Sequence, residues 1–378
     1  MKTPFTFGKL VLENDFTDRI SETRRLISNF NSSVNTILIS PRRWGKSSLV
    51  TKAAKDVRAK SKKTIFCMID LNNIRSEEQF YKLLATKVLQ NSSSKVDSIL
   101  ENAKLFLGRF IPNISFSPNP ETNLKLSLDW NEVRKEPDDI LDLAEKIAVK
   151  TKKKIIICID EFQNISEFDY PVDFQKKLRA HWQLHQNVTY CLYGSKRHML
   201  MEVFSSPSMP FYKFGDIIFL EKIKEKDWIE FIIKRFHETG KHIEDESAAI
   251  IANSCENHPY YVQQLAQQVW LRSIKNCKPE VIQEAFEDLV MQLSMIFQML
   301  TDNLNMKQIS FLNALINKEK QFTSQSVLNK YNLGTSANVI KIKKVLHDRE
   351  IIDIVGKKID FMDPLYKYWL KNYYFERE

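Results

Sequence analysis

The chain has 378 residues, 43% of them hydrophobic, and 56 Lys and Arg stand against 47 Asp and Glu for a formal charge of +9. That length holds two or three domains with a sizeable core, and no apolar run reaches the roughly 20 residues of a membrane-spanning helix. Positive charge is spread along the sequence rather than gathered in one block, so charge alone does not assign a nucleic-acid partner.

Thr36–Ser40 is a short apolar strand, and directly after it come Ser40, Pro41, Arg42, Arg43, Trp44, Gly45, Lys46, Ser47 and Ser48. This matches a phosphate-binding loop between strand and helix, G-x-x-x-x-G-K-[ST], with Ser40 at the first glycine position. Such a loop turns backbone N–H groups around an anion, a lysine reaches the β- and γ-phosphates, and a hydroxyl ligates Mg²⁺. Lys46 and Ser47 supply the last two. Gly45 permits close approach of the backbone, and the helix expected from Ser48 to Lys55 points its positive end at the same anion.

Thr64–Asp70 is the second strand. The third lies about 85 residues on, more than one crossover needs, and an insertion is expected near 93–135. Within it, Ile114, Phe116, Leu124, Leu126 and Leu128 alternate on both sides of a Pro- and Asn-rich turn, a hairpin pattern. It reads equally as a partner-contact element or as decoration.

Ile155–Ile159 is five apolar, mostly β-branched residues, as expected of a strand buried on both faces, and it ends in Asp160 and Glu161. Two carboxylates at that place need a cationic neighbour. In phosphate-loop enzymes the first acid lies near the Mg²⁺ held by the Ser47-type hydroxyl, and the second is placed to activate water. His181 and His185 follow at i, i+4, a metal-ligand spacing, but without an H-E-x-x-H acid, and a structural role is the stronger reading. Arg179 and Arg197 each fit either an arginine finger or an ordinary surface ion pair.

Val188–Gly194 and Gly215–Leu220 complete five strands alternating with helices, which implies a parallel sheet covered on both faces. Ligands bind such sheets at the carboxyl ends of the strands, where residues 40–47, Asp160, Glu161 and Ser195 all fall. From Ile223 the pattern turns helical, with Trp228–Phe236 and Val262–Trp270 apolar at helical spacing. Residues 300–378 then read as a winged helix, with helices at Lys307–Ile316, Ser324–Tyr331 and Ser336–His347 and a hairpin from Ile351 to Phe361 turning at Gly356. Lys341, Lys343 and Lys344 stand on its candidate recognition helix. Residues 300–378 carry 13 Lys and Arg against 9 Asp and Glu, only +4, and of the residue types suited to base readout at the front of that helix Asn338 qualifies and little else does.

The five cysteines, at 67, 158, 191, 255 and 277, form no C-x-x-C pair. Cys67, Cys158 and Cys191 lie in strands as small core residues. Neither a zinc site nor a disulfide framework is expected, and no secretory leader follows Met1, so the expected setting is the reducing cytoplasm.

Taken together, the phosphate loop and Ile159-Asp160-Glu161-Phe162-Gln163 resemble the prokaryotic AAA+-type ATPases of the STAND-related group, over roughly residues 10–375. Asp18 and Arg19, before an amphipathic helix, resemble the box that lies against the adenine. Ser195 resembles the sensor of the γ-phosphate, and His258 and Pro259 resemble the motif opening a lid helix over the nucleotide. Ser40 departs from this pattern, as does Ile20 where an acid is usual. No arginine stands between Pro259 and Gln267, where ring-forming members carry a second sensor.

The resemblance implies an α/β phosphate-loop domain of AAA+ type with a five-stranded parallel sheet over 1–222, a helical lid over 223–299 and a winged helix over 300–378. It implies ATP, ADP and Mg²⁺ as ligands. Arg42, Arg43, Trp44, Gly45, Lys46, Ser47 and Ser48 would surround the phosphates, Walker A fashion. Ser47 with Asp160 would hold the metal, and Glu161, with Lys46 and Ser195, would carry catalysis. The missing second sensor points to a switch that hydrolyses ATP slowly. Self-association on ATP and a protein partner are both compatible with it, DNA contact through the winged helix ranks below them, and no membrane partner is expected. A DNA-binding regulator licensed by ATP and a non-hydrolysing scaffold are the alternatives.

Overall fold

The computed structural model describes residues 3–11, 16–92, 96–108, 113–116, 124–127, 133 and 137–376. The chain divides into two compact units, Leu10–Glu221 and Met1–Lys9 with Lys222–Glu378.

In the first unit, β1 (Thr36–Ile39), β2 (Thr64–Asp70), β5 (Lys154–Asp160), β6 (Val188–Gly194) and β7 (Asp216–Phe219) form one sheet in the order β2-β5-β6-β1-β7. All pairs are parallel. The strands match the expected five to within a residue or two, because short, mostly apolar runs leave little choice of boundary. Their side chains sort by the two-residue period into two cores. Ile37, Ile155, Ile157, Ile159, Tyr190 and Leu192 enter one layer with the helices Glu77–Ser92, Leu143–Thr151 and Pro171–Trp182. Leu38, Ile156, Cys158, Cys191 and Tyr193 enter the other, against α1 (Ile20–Asn31) and α2 (Lys46–Lys60). Each fully buried aliphatic side chain contributes on the order of 2 kcal/mol.

The helix after the phosphate loop begins at Lys46 rather than Ser48, because Gly45 adopts φ +88° and starts it there. In the insertion, β3 (Asn113–Phe116) pairs antiparallel with β4 (Leu124–Ser127), Phe116 opposite Leu124. The turn between them and much of 93–135 lie outside the described residues. The helix Val96–Leu107 also belongs to this stretch.

The second unit is helical up to Asp302, with helices at Glu225–His237, Asp245–Ser254, Pro259–Arg272 and Pro279–Asp302. Residues 3–9 belong here and not with the sheet. Phe5 is 1% exposed, its ring centroid 5.8 Å from that of Phe236, and the Pro4 carbonyl accepts from Arg235 Nε at 2.6 Å. A sequence boundary drawn at residue 1 misses this, since a short segment with two phenylalanines carries no periodicity.

Met306–Ile316, Gln325–Lys330 and Ser336–Asp348 then precede the hairpin of β8 (Ile352–Val355) and β9 (Lys358–Phe361). Asn305 and Gln308 form a reciprocal capping box at the first of these helices, and Gly356 turns the hairpin at φ +61°. One continuous core runs from Phe5 and Trp228 to Phe311, Leu346 and Leu370.

Gly215 precedes β7, and a Cβ there would lie 2.2 Å from the Asn35 carbonyl oxygen, against rigid backbone. Gly215→Ala is therefore expected to destabilise the protein by about 1–3 kcal/mol, read as a lowered urea midpoint.

Candidate active site

Three adjacent strands, β5, β6 and β1, bring the expected residues together in the first unit. Ile159 is level with Leu192, and Ile39 with Gly194, so the loop after β1 and the acids after β5 lie on either side of the end of β6. Ser40 is fully buried and its hydroxyl donates to the Pro41 carbonyl at 2.8 Å, so the loop accommodates a side chain where glycine is usual. Arg42 and Arg43 are exposed, Trp44 is half-buried, and Arg43 takes φ +64°. A Cβ on Gly45 would meet open space, so the glycine is required by its φ and not by crowding. α2 has no side-chain cap on its first turn and no acid within it, which leaves its N–H groups and positive end to an anion.

Lys46 Nζ lies 2.9 Å from Glu161 Oε1 and 3.5 Å from Asp160 Oδ1. The Ser47 hydroxyl donates to Asp160 Oδ2 at 2.6 Å. A hydroxyl and a carboxylate side by side form an oxygen-rich donor set of the kind Mg²⁺ takes, so these residues fit that ion. Ser48, by contrast, accepts from the Val11 N–H at 2.9 Å, so its hydroxyl tethers the preceding segment.

Glu161 is gripped from several sides. Ser195 donates to its Oε2 from the hydroxyl at 2.8 Å and from the backbone N–H at 3.2 Å, and Gln163 Nε2 donates at 2.5 Å. Its backbone sits at φ +51°, a strained conformation for a residue with a side chain, of the kind that gathers at functional sites. In the sequence Gln163 carries no chemistry of its own, because only the preceding acids are recognisable. Its importance shows only through Gly194 in the fold. A Cβ there would come within 1.9 Å of Gln163 Oε1, so the glycine makes room for the side chain that holds Glu161.

The two carboxyls are driven apart. Burial pushes Asp160 up, and the opposing Lys46 charge and Ser47 hydrogen bond do not fully offset it. Burial also acts on Glu161, but the Lys46 charge and the Gln163, Lys46 and Ser195 hydrogen bonds outweigh it and hold that carboxyl below its ordinary value. Ionised Glu161 therefore contributes stability that is present above the usual carboxylate range and is lost as pH falls through its folded pKa. Ionised Asp160 does the reverse and costs stability at neutral pH.

Arg19 is 4% exposed and pairs with Glu22 at 3.0 Å, while its Nε and Nη2 have no hydrogen-bond partner. Asp18 and Arg19 both take positive φ at the start of α1. His258 and Pro259 belong to the other unit, where Pro259 opens the helix to Arg272 and the His258 ring lies 5.0 Å from that of Tyr261.

His181 and His185 share one acceptor, Asp142 Oδ1, at 2.8 and 3.1 Å, and no metal-binding cluster occurs among the described residues. Burial raises the Asp142 carboxyl, but the hydrogen bonds from His185 and His181 prevail and hold it low. Arg179 lies over the Phe214 ring at 4.8 Å and Arg197 over the Phe219 ring at 5.4 Å. The Cys67 thiol is pushed up to about 12 by burial, as befits an inert core residue. No helix among the described residues is long and apolar enough to cross a membrane.

The five-stranded parallel sheet with its phosphate loop gives the first unit a P-loop fold of AAA+ type, and a winged helix follows in the second unit. Residues 295–372 match the family model described as "Probable winged helix domain". Among solved structures, the chain is similar to the Walker-type ATPase PABY2304 of Pyrococcus abyssi, with TM-score 0.68 and 16% identity over 98% of this chain and 100% of that one. It is also similar to the ORC2 protein of Aeropyrum pernix in its ADPNP–ADP complexes, with TM-score 0.55 and 12% identity over 96% and 94% of the two chains. The ORC1 protein of the same organism in complex with DNA gives TM-score 0.50 and 10% identity over 100% of both. Compared by sequence with curated proteins, the chain has no match.

Removing the Gln163 amide takes away one of the bonds that keep Glu161 ionised. Gln163→Ala is expected to raise the Glu161 pKa, read by carboxyl ¹³C titration. An unmoved value would show that Lys46 and Ser195 alone set it.

Proposed function

We propose that the chain is a STAND-like AAA+ switch that binds ATP at the carboxyl ends of β1, β5 and β6 and hydrolyses it slowly to ADP and phosphate. The observation that carries this reading is the convergence of Lys46, Ser47, Asp160, Glu161 and Ser195 from three strands that are distant in sequence. Lys46 and the first-turn N–H groups of α2, that of Ser48 among them, hold the phosphates, with Arg42, Arg43, Trp44 and Gly45 around them. Asp18 and Arg19 take the base end, where the two unpartnered nitrogens of the buried Arg19 suit a polar ligand. Ser47 and Asp160 hold Mg²⁺, which when bound neutralises charge on the phosphate oxygens.

Glu161 orients and deprotonates the attacking water. A carboxyl held low is a weak base, which fits slow turnover. Phosphates that draw Lys46 away relieve Glu161 of its main neutralising charge and make it a better base as substrate arrives. Ser195 reports the γ-phosphate through its bond to the same carboxylate, and His258 with Pro259 transmits occupancy to a helical lid, 223–299, and the winged helix, 300–378.

The reading in which ATP licenses the winged helix to grip DNA ranks second. Lys343 on its recognition helix lies over the Phe322 ring at 5.1 Å, and burial lowers that ammonium, so it faces its own fold. Lys341 and Lys344 remain exposed.

Lys46→Ala is expected to lower ATP affinity by about 100-fold or more, and Glu161→Gln to keep ATP bound while phosphate release stops. Both follow from calorimetric binding and a phosphate-release assay with and without Mg²⁺. Equal ATP affinity in wild type and Lys46→Ala would defeat the assignment, and unimpaired release in Glu161→Gln would place the base elsewhere.

A further inference from the structure

The amino end of the sheet, opposite the phosphate loop, gathers a charge that the ATP site does not use. β2 pairs with β5 so that Thr64 is level with Lys154, and the Lys154 N–H donates to the Lys63 carbonyl at 3.0 Å. This sets two helix-to-strand junctions side by side, one carrying Lys60, Lys62 and Lys63 and the other Lys152, Lys153 and Lys154. Charge that is scattered along the sequence is collected here by strand register.

Between the junctions opens a cleft of about 630 Å³, lined by Lys63, Lys152, Lys153, Lys154, Asn31 and Asn187 among others, with no acidic residue in its lining. Lys154 Nζ is tied only to neutral groups, the Asn31 carbonyl at 3.1 Å and the Ser33 hydroxyl at 3.2 Å. Glu145 is committed to the Asn187 N–H and amide and does not neutralise the lysines. Among the described residues, no carboxylate forms an ion pair with Lys60, Lys62, Lys63, Lys152 or Lys153. Lys152 even holds φ +54° at a helix end, where glycine is the usual occupant. Like charges gathered on one surface repel one another, and the core makes no use of these ammonium groups.

The side chains present define the ligand. Lysine offers a compact charge without the planar fork with which arginine reads carboxylates and base edges, and no arginine lines the cleft. The aromatic ring in the lining, Phe30, is 1% exposed, so no base can stack on it. Positive charge with no stacking surface suits a phosphodiester backbone whose bases stay paired. We propose that this basic cleft grips the phosphate backbone of a duplex nucleic acid without reading its sequence. The cleft is independent of both the ATP site and the winged-helix lysines.

The test is anisotropy of a labelled random-sequence DNA duplex with the full chain over a salt series. The expected result is a linear fall of log affinity with log salt concentration. A Lys63→Gln, Lys152→Gln, Lys153→Gln variant should flatten that slope by about 2.7, at ~0.9 per lost phosphate contact, and weaken low-salt binding about tenfold or more. The same positions changed to Arg should keep the slope, which separates lost charge from a damaged fold. Lys341→Gln with Lys344→Gln should leave it in place. A slope unchanged in the triple variant, or lost only with the winged-helix pair, would overturn the proposal. So would absent duplex binding with lysine-dependent capture by phosphatidylserine vesicles, which would make the cleft a membrane contact.

Discussion

A slip of one residue of β6 against its neighbours β5 and β1 would turn every β6 side chain to the opposite face and carry Ser195 about 3.3 Å along the strand, away from Glu161. The pairing of Ile39 with Gly194 and of Ile159 with Leu192 therefore fixes more than the sheet. It decides that the loop after β1 meets the acids after β5, that Ser195 stands between them, and that Gly194 lies under Gln163. Burial of both sheet faces holds this register, because either neighbouring alignment would put polar or small residues into one of the two cores.

Within that frame one ammonium serves two carboxyls whose pKa values are shifted in opposite directions. Asp160 is kept reluctant to ionise by burial, whereas Glu161 is surrounded by donors that favour its charge. The positive φ of Glu161 belongs to the same arrangement, since it turns the side chain after the last strand residue back toward Ser195 and Lys46. A local conformational cost on the order of 1–3 kcal/mol is sustained by the surrounding core.

The parts of this molecule legible in its sequence are those fixed by local pattern. Ile155–Ile159 has no competing period, Gly45-Lys46-Ser47 has a recognised spacing, and Gly356 marks a turn whose flanks alternate. What escaped the sequence depends on residues far apart in the chain. Gln163 matters through Gly194, Ser48 through Val11, and the pairing of His181 with His185 through Asp142, and none of these partners is near its counterpart in sequence. The basic cleft shows the same limit for charge. Lys60–Lys63 and Lys152–Lys154 read as ordinary solvated turns until the β2–β5 ladder sets them side by side.

The grouping of residues 3–9 with the chain beyond Lys222 has a consequence for how the protein is made. Pro4 waits for Arg235, 231 positions later, and Gln267 reaches back to Phe5 across 262 positions. The sheet unit, Leu10–Glu221, is complete in sequence before most of the second unit's core has emerged with its later helices. Phe5 is thus translated early and buried late, which exposes an apolar residue during the interval. Closing so long a loop is entropically slow, and docking of the early segment is expected to be among the last steps to native structure.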